Sequence, residues 1–271
     1  MEPHDTGTGA VSPLDIPRRF LERLGAADSV VVFTGAGMSA ESGVPTFRGA
    51  EGIWSRFKPE ELATMSAFLR NPQLVWEWYA HRRRIIATVQ PNAGHRAVAD
   101  LEHLVPRVAV ITQNIDNLHR RAGSTVVHEL HGNIERNYCV TCGAPHEMGS
   151  GSASPGVPRC AMCGGLVRPD VVWFGELLPE EDWEAAVRAA SGADVCISVG
   201  TSGVVYPAAS IPAIARKAGA LHADVNPEPG PLSEAADVFI KGLAGAVLPV
   251  LVQHLEKLRS RPDIAVPGEG R

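Results

Sequence analysis

Val30-Val-Val-Phe33 runs directly into Thr34-Gly-Ala-Gly-Met-Ser-Ala-Glu-Ser-Gly-Val-Pro-Thr-Phe-Arg48. Four consecutive apolar residues, three of them β-branched, read as a strand covered on both faces. Gly35-x-Gly37-x-x-Ala40 fits the looser dinucleotide fingerprint, in which glycines let the backbone approach a pyrophosphate. Taken alone, this spacing serves equally well for a tight turn. The loop departs from a dehydrogenase pattern in one respect. Pro45-Thr-Phe-Arg48 breaks the helix early, where a long crossover helix and a second strand with a ribose-binding acid would follow. An arginine inside a cofactor loop suggests different chemistry on the same dinucleotide.

Further apolar runs repeat the theme: Val108–Thr112, Asp194–Val199, Ala220–Val225 and Val238–Ile240, after Ser29–Phe33. Helical stretches alternate with them, at Asp15–Leu24, Asn92–Leu104, Pro179–Ala190, Pro207–Ala218 and Ala244–Leu258. Such alternation predicts an α/β fold, a mostly parallel sheet with helices on both faces. Two segments break the rhythm, a helical aromatic one (54–89) and a cysteine-bearing one (132–167), and they read as insertions forming a smaller domain. The larger domain then comprises 14–53, 90–131 and 168–258. The tails 1–13 and 259–271, rich in Gly, Pro and charge, read as mobile, as does Gly149–Gly156.

The second insertion carries Cys139-x2-Cys142 and Cys160-x2-Cys163, with 17 residues between the pairs. This is the spacing of a four-thiolate zinc site, and four thiolates close the tetrahedron, so the metal is expected to be structural. Thiols kept for zinc suit a reducing cytosol. Cys196, alone in an apolar run, reads as a small buried hydrophobe. The chain has 271 residues, 45% of them hydrophobic, and a net charge of −5 with both signs interspersed. That balance gives no footprint for a nucleic-acid backbone. No apolar run is long enough to span a bilayer, and Met1–Leu14 lacks the pattern of a signal peptide. A cytoplasmic location and a monomer are the expectation.

Several motifs in order, Gly35–Arg48, Thr112-Gln-Asn-Ile-Asp116, His131-Gly132, the cysteine spacing, Val172-Trp-Phe-Gly-Glu176 and Gly200-Thr-Ser202, together resemble the sirtuins, NAD-dependent protein deacylases. The likeness runs from about residue 20 to 255. It implies a Rossmann-like domain with a small zinc-bearing domain, NAD consumed as co-substrate, one structural zinc ion, and acylated lysine-containing proteins as partners.

The resemblance assigns roles residue by residue. His131 becomes the general base for a ribose hydroxyl, which suits an imidazole titrating near neutral pH; Asn114 is placed with it in catalysis. NAD falls to Gly35, Ala36, Gly37, Ala40, Glu41, Thr46, Phe47, Arg48, Gln113, Asn114, Ile115, Asp116, Gly200, Thr201, Ser202, Asn226, Glu228 and Ala244. Asp116 would accept from the carboxamide nitrogen, and Asn226 and Glu228 would face the adenosine. Val172, Trp173, Phe174, Gly175 and Glu176 resemble an extended segment that pairs with substrate backbone. The implied reaction starts with attack of an acyl-lysine carbonyl oxygen on C1′ of the ribose, releasing nicotinamide. It ends with free lysine and O-acyl-ADP-ribose.

The helical insertion holds Tyr79 and Arg82, three apart and therefore on one helix face. They resemble the Tyr-x-x-Arg signature of the sirtuin subgroup that removes succinyl, malonyl and glutaryl groups. Arginine's planar fork can take a terminal carboxylate by two parallel bonds, and a tyrosine hydroxyl adds a third. Deacetylation would be slower but not lost. On spacing alone, Arg82–Arg84 read first as a solvated helix face and Tyr79 as a packing residue; the family resemblance turns the reading to an acyl pocket. The alternatives to this reading are a plain deacetylase, a dehydrogenase with a structural zinc, and a zinc-ribbon binding module without catalysis. Mono-ADP-ribosyl transfer shares the first chemical step.

Overall fold

The computed structural model describes residues 16–46, 58–147 and 156–259. Its strands are β1 (Ser29–Thr34), β2 (Arg107–Thr112), β3 (Val127–Glu129), β4 (Gly132–Cys139), β5 (Val167–Val171), β6 (Val195–Val199), β7 (Leu221–Asn226) and β8 (Val238–Lys241). Six of them form a parallel sheet in the order β3-β2-β1-β6-β7-β8. β4 and β5 form a separate antiparallel pair. This is the α/β, Rossmann-like arrangement with a smaller unit that the sequence predicts.

The pleat explains the double burial of β1. Val30 and Val32 face a core with Phe20, Val98, Leu101, Leu248 and Leu251. Val31 and Phe33 face the opposite core, with Ala186, Ala190, Ile211 and Ala215. Each such side chain taken out of water contributes about 1.5–3 kcal/mol before chain entropy is counted. The sheet is therefore held from both sides by helices, which fixes the loops at its carboxyl edge.

The apolar pattern misses β3, because His128 and Glu129 interrupt it. As an edge strand pairing with β2 alone, β3 needs no continuous apolar run. The expected helix Pro207–Ala218 divides into a 3-10 turn, Ala208–Ser210, and an α-helix, Ile211–Lys217. Pro212 in its first turn has no N–H to lose.

The smaller unit packs the helix Pro72–Thr88 against β4 and β5. Asn71 caps that helix by accepting from the Leu74 N–H. The indole Nε1 of Trp76 donates to Val167 O at 2.9 Å and Arg83 Nε to Ile134 O at 2.6 Å. Phe68, Val75, Tyr79, Ile86, Ile134, Val167 and Trp173 make its core. The expected division between 167 and 168 falls inside β5. The expectations for residues 1–13, 260–271 and 149–155 lie outside the described residues. Among the described residues, no helix is long and apolar enough to cross a membrane.

Candidate active site

The strand order reverses around β1, with β2 on one side and β6 on the other. At such a switch point the loops leaving the strands diverge and open a crevice. A cleft of about 720 Å³ lies there. The sheet contributes Gly35, Ala36, Gly37, Gln113, Asn114, Ile115, Gly200, Thr201, Ser202, Asn226 and Glu228 to its wall, together with Thr46 and His131. The smaller unit contributes Tyr79 and Arg82, and the segment after β5 contributes Val172, Trp173, Phe174, Gly175 and Glu176. Residues distant in sequence and expected to serve two substrates thus line one cavity.

Glycine is required where the short helix after β1, Ala36–Ala40, meets the loop after β6. A Cβ on Gly37 would stand 2.7 Å from Gly200 Cα, and one on Gly200, at φ +59°, would stand 2.4 Å from Met38 N. Gly37 N–H donates to Gly200 O at 2.8 Å, and Gly35 N–H to Val199 O at 3.1 Å. Gly35 and Gly37 thus present bare backbone at the head of the cleft, with only the Ala36 methyl between them, which leaves room for a pyrophosphate. Asn226 Nδ2 donates to Asp224 and to Thr201 O, so its amide oxygen remains as the acceptor for a hydroxyl.

Behind the cleft wall a ring of buried polar groups holds Asn114. Its N–H donates to Thr112 Oγ1, and its Nδ2 donates to Gly35 O at 2.9 Å and Ser39 Oγ at 3.2 Å. Ser39 Oγ lies 3.4 Å from His95 Nε2, and the His95 ring packs edge-on against His119. His119 Nε2 returns to Thr34 Oγ1 at 3.0 Å, and Thr34 bonds Thr112. Burial pushes the pKa of His95 down to about 4 and that of His119 well below its ordinary value. Both rings are therefore neutral at pH 7. His131 stands apart from this ring, with Nδ1 3.1 Å from Gln113 O. Its pKa is also lowered by burial, against the pull of that carbonyl.

Tyr79 and Arg82 are 1% and 7% exposed, so the solvated-face reading does not hold for Arg82. The Arg82 guanidinium lies 5.0 Å from the Trp78 ring centroid and 6.0 Å from that of Tyr79. Burial pushes its pKa down, and Tyr79 and Asp116 push it back up.

Five placements differ from expectation. The segment 172–176 turns at Phe174 and Gly175, where φ is +87°, instead of running straight. Arg168, 1% exposed, pulls it round by holding Glu176, whose Oε2 also accepts from the Trp173 N–H at 2.8 Å. Glu41 lies outside the cleft lining, because its carboxylate accepts from Gly245 N–H at 2.7 Å and caps the helix Ala244–Arg259. Ala244 packs into the core beside it, and Ala40 is exposed. Asp116 is buried behind the lining, with Oδ1 accepting from Leu118 N–H at 3.0 Å. Burial pushes its carboxyl pKa up, while Leu118, Ser39 and Arg82 pull it down. Phe47 and Arg48 lie outside the described residues.

Sequence reasoning missed Trp78 and Asp224, which also line the cleft. Trp78 precedes Tyr79 in a helix already suspected, so its position was a usable signal. Asp224 is fully buried and tied to Ser198 and Ser233, contacts with no local signature.

The four cysteines gather away from the cleft. Their Sγ atoms all lie within 4.8 Å of one another, with Cys139–Cys163 at 3.5 Å and Cys142–Cys160 at 3.7 Å. A tetrahedral zinc with bonds of about 2.3 Å sets its sulfurs about 3.8 Å apart, so the residues fit a structural zinc ion. Cys196 is fully buried, and burial pushes its pKa up to about 12.

Comparison with known proteins matches residues 35–207 to the model of the Sir2 family. The chain is 56% identical over 239 residues to NAD-dependent protein deacylase 2 of Pyrobaculum aerophilum, covering 88% of this chain and 96% of the relative. Among solved structures, a mutant Sir2 homologue in complex with 2′-O-acetyl ADP ribose superposes with a TM-score of 0.86 at 45% identity, covering 91% of this chain and 99% of that one. A Sir2–p53 peptide–NAD+ complex superposes with a TM-score of 0.78 at 34% identity, covering 87% and 97%.

Proposed function

The chain belongs to the Sir2 family, and from that premise we propose that it is an NAD-dependent protein-lysine deacylase that favours acidic acyl groups of the succinyl and malonyl type. NAD, when bound, supplies a nicotinamide–ribose bond already primed for cleavage and an ADP-ribose that receives the acyl group. The residues of the cleft do the rest. The backbone of Gly35 and Gly37 admits the pyrophosphate, and the Asn226 amide oxygen accepts from an adenosine-ribose hydroxyl. Asn114, its amide oriented by Gly35 O and Ser39, faces the nicotinamide half. His131, with Nδ1 directed to Gln113 O, keeps Nε2 bare to take a proton from a ribose hydroxyl. The cysteine-held zinc takes no part in bond making.

The acyl preference rests on one observation: Tyr79 and Arg82 lie buried on the same face of the helix Pro72–Thr88, inside the wall of the cleft that His131 also lines. A carboxylate there meets a cation and a hydroxyl donor in a partly dry site, where a charge-assisted bond is worth about 1.5–3 kcal/mol net. That corresponds to roughly a ten- to hundredfold preference over an acetyl group.

The test uses NAD and one lysine peptide carrying succinyl or acetyl, with the wild type and Arg82→Met. The expected result is a wild-type preference for succinyl that collapses in the variant. A preference for acetyl, or an equal loss of both in Arg82→Met, would overturn the acyl assignment and leave the deacylase. No nicotinamide release from either peptide would overturn the deacylase itself.

A further inference from the structure

Trp173 Nε1 lies 2.8 Å from the phenol oxygen of Tyr79. An indole nitrogen donates and never accepts, so the phenol oxygen is the acceptor and its own proton must point elsewhere. Both residues line the cleft. Trp173 is 2% exposed and has little freedom to turn away. The Arg168 guanidinium lies 3.4 Å from its ring centroid, Phe68 packs at 5.3 Å, and Glu176 Oε2 holds its backbone N–H. Burial pushes the Tyr79 pKa up, so the phenol keeps its proton across the working range.

We infer that the Trp173 indole is a specificity-determining group: by donating to the Tyr79 oxygen it commits that hydroxyl to donate toward an acceptor at the acyl end, a carboxylate above all. The inference rests on the acidic-acyl reading of Tyr79 and Arg82. Its chemistry is directional. A tyrosine hydroxyl without the indole bond can either donate or accept, and so tolerates an acyl terminus that itself donates, such as a carboxamide. With the bond in place, one of its two roles is already taken. An acyl end that needs an acceptor is then penalised, because a buried donor is left without a partner.

The test compares kcat/KM for succinyl-lysine, its terminal carboxamide analogue and acetyl-lysine in one peptide. The variants are Trp173→Phe and the replacement of Trp173 by benzothienylalanine, which keeps the bicyclic shape and removes the N–H. Both are expected to lower the succinyl-to-acetyl ratio about three- to tenfold and to narrow the gap between succinyl and its carboxamide. In a Tyr79→Phe background the same replacements should change neither ratio further, since the partner oxygen is gone. If Trp173→Phe does not fold, the benzothienylalanine protein decides. Variants at 173 that slow all three substrates by one factor would make the indole a packing group and overturn the inference. Collapse of the ratio in Arg82→Met alongside that result would keep the acidic-acyl reading intact. A wild type that prefers acetyl would remove that reading, and this inference with it.

Discussion

His131 Nδ1 lies 3.1 Å from the main-chain oxygen of Gln113, an atom that can only accept. The neutral ring therefore carries its proton on Nδ1 and presents Nε2 as a base. Burial lowers its pKa from the ordinary 6.5, so the base form persists through neutrality. The acid limb of kcat/KM for the acyl peptide should have its midpoint below 6.5 and fall tenfold per pH unit beneath it. His131→Gln should cost about 10²–10⁴ in rate, the usual range for a general base. A limb centred above 6.5 would assign that ionisation elsewhere.

His95 and His222 are fully buried, and burial pushes both down to about 4. In the unfolded chain they titrate near 6.5. Between those values the unfolded state binds protons that the folded state refuses, so stability is complete above pH 6.5 and declines toward pH 4. At pH 5 the two should cost roughly 2 kcal/mol each. Urea midpoints measured at pH 7.5 and 5 would show it, and His222→Gln should flatten part of the difference. An unchanged midpoint in the wild type would count against neutral burial.

Gly200→Ala places a Cβ at φ +59° and 2.4 Å from Met38 N. The strained backbone alone costs about 1–3 kcal/mol, and the short helix after β1 must shift as well. Calorimetry should show weaker NAD binding, with a lower thermal midpoint. Wild-type NAD affinity in the variant would mean that the close approach of Gly200 to that helix does not shape the dinucleotide site.

Metal removal should act on structure first. One zinc per chain is expected by elemental analysis, absent in Cys160→Ser. Stripping it with a strong chelator should disorder β4 and β5 and change the near-ultraviolet signal of Trp76, whose indole bonds Val167 beside Cys139. A signal that survives complete zinc loss would show that the knuckle folds without its metal.

Glu41→Ala should be felt in stability and only weakly in NAD affinity. Its carboxylate caps the helix Ala244–Arg259 through Gly245 N–H, a contact worth about 0.5–2 kcal/mol. A large rise in KM for NAD with an unchanged thermal midpoint would return Glu41 to the cofactor.

The central strands were legible because burial on both faces leaves unbroken runs such as Val30–Phe33, and the zinc site because two tight turns impose the Cys-x2-Cys spacing. β3 was not legible, since an edge strand tolerates His128 and Glu129. Tyr79 and Arg82 could be named through the family resemblance, since their spacing alone marks only a shared helix face. Their surroundings could not: Trp173 reaches Tyr79 across 94 positions, and Glu41 reaches Gly245 across 204. The bend at Phe174 and Gly175 was hidden for the same reason. It depends on Arg168, whose side chain is held by Glu176 and the Trp173 ring once β5 has paired with β4.

The helix Pro72–Thr88 docks on β4 and β5, and the segments that approach one another at Gly37 and Gly200 follow strands of the six-stranded sheet. An acyl reader on that helix is mutationally separable from the dinucleotide cradle. On the acyl reading proposed above, substitutions at 79 and 82 would trade one lysine modification for another during divergence, while the costlier, glycine-bound half of the cleft would be inherited unchanged.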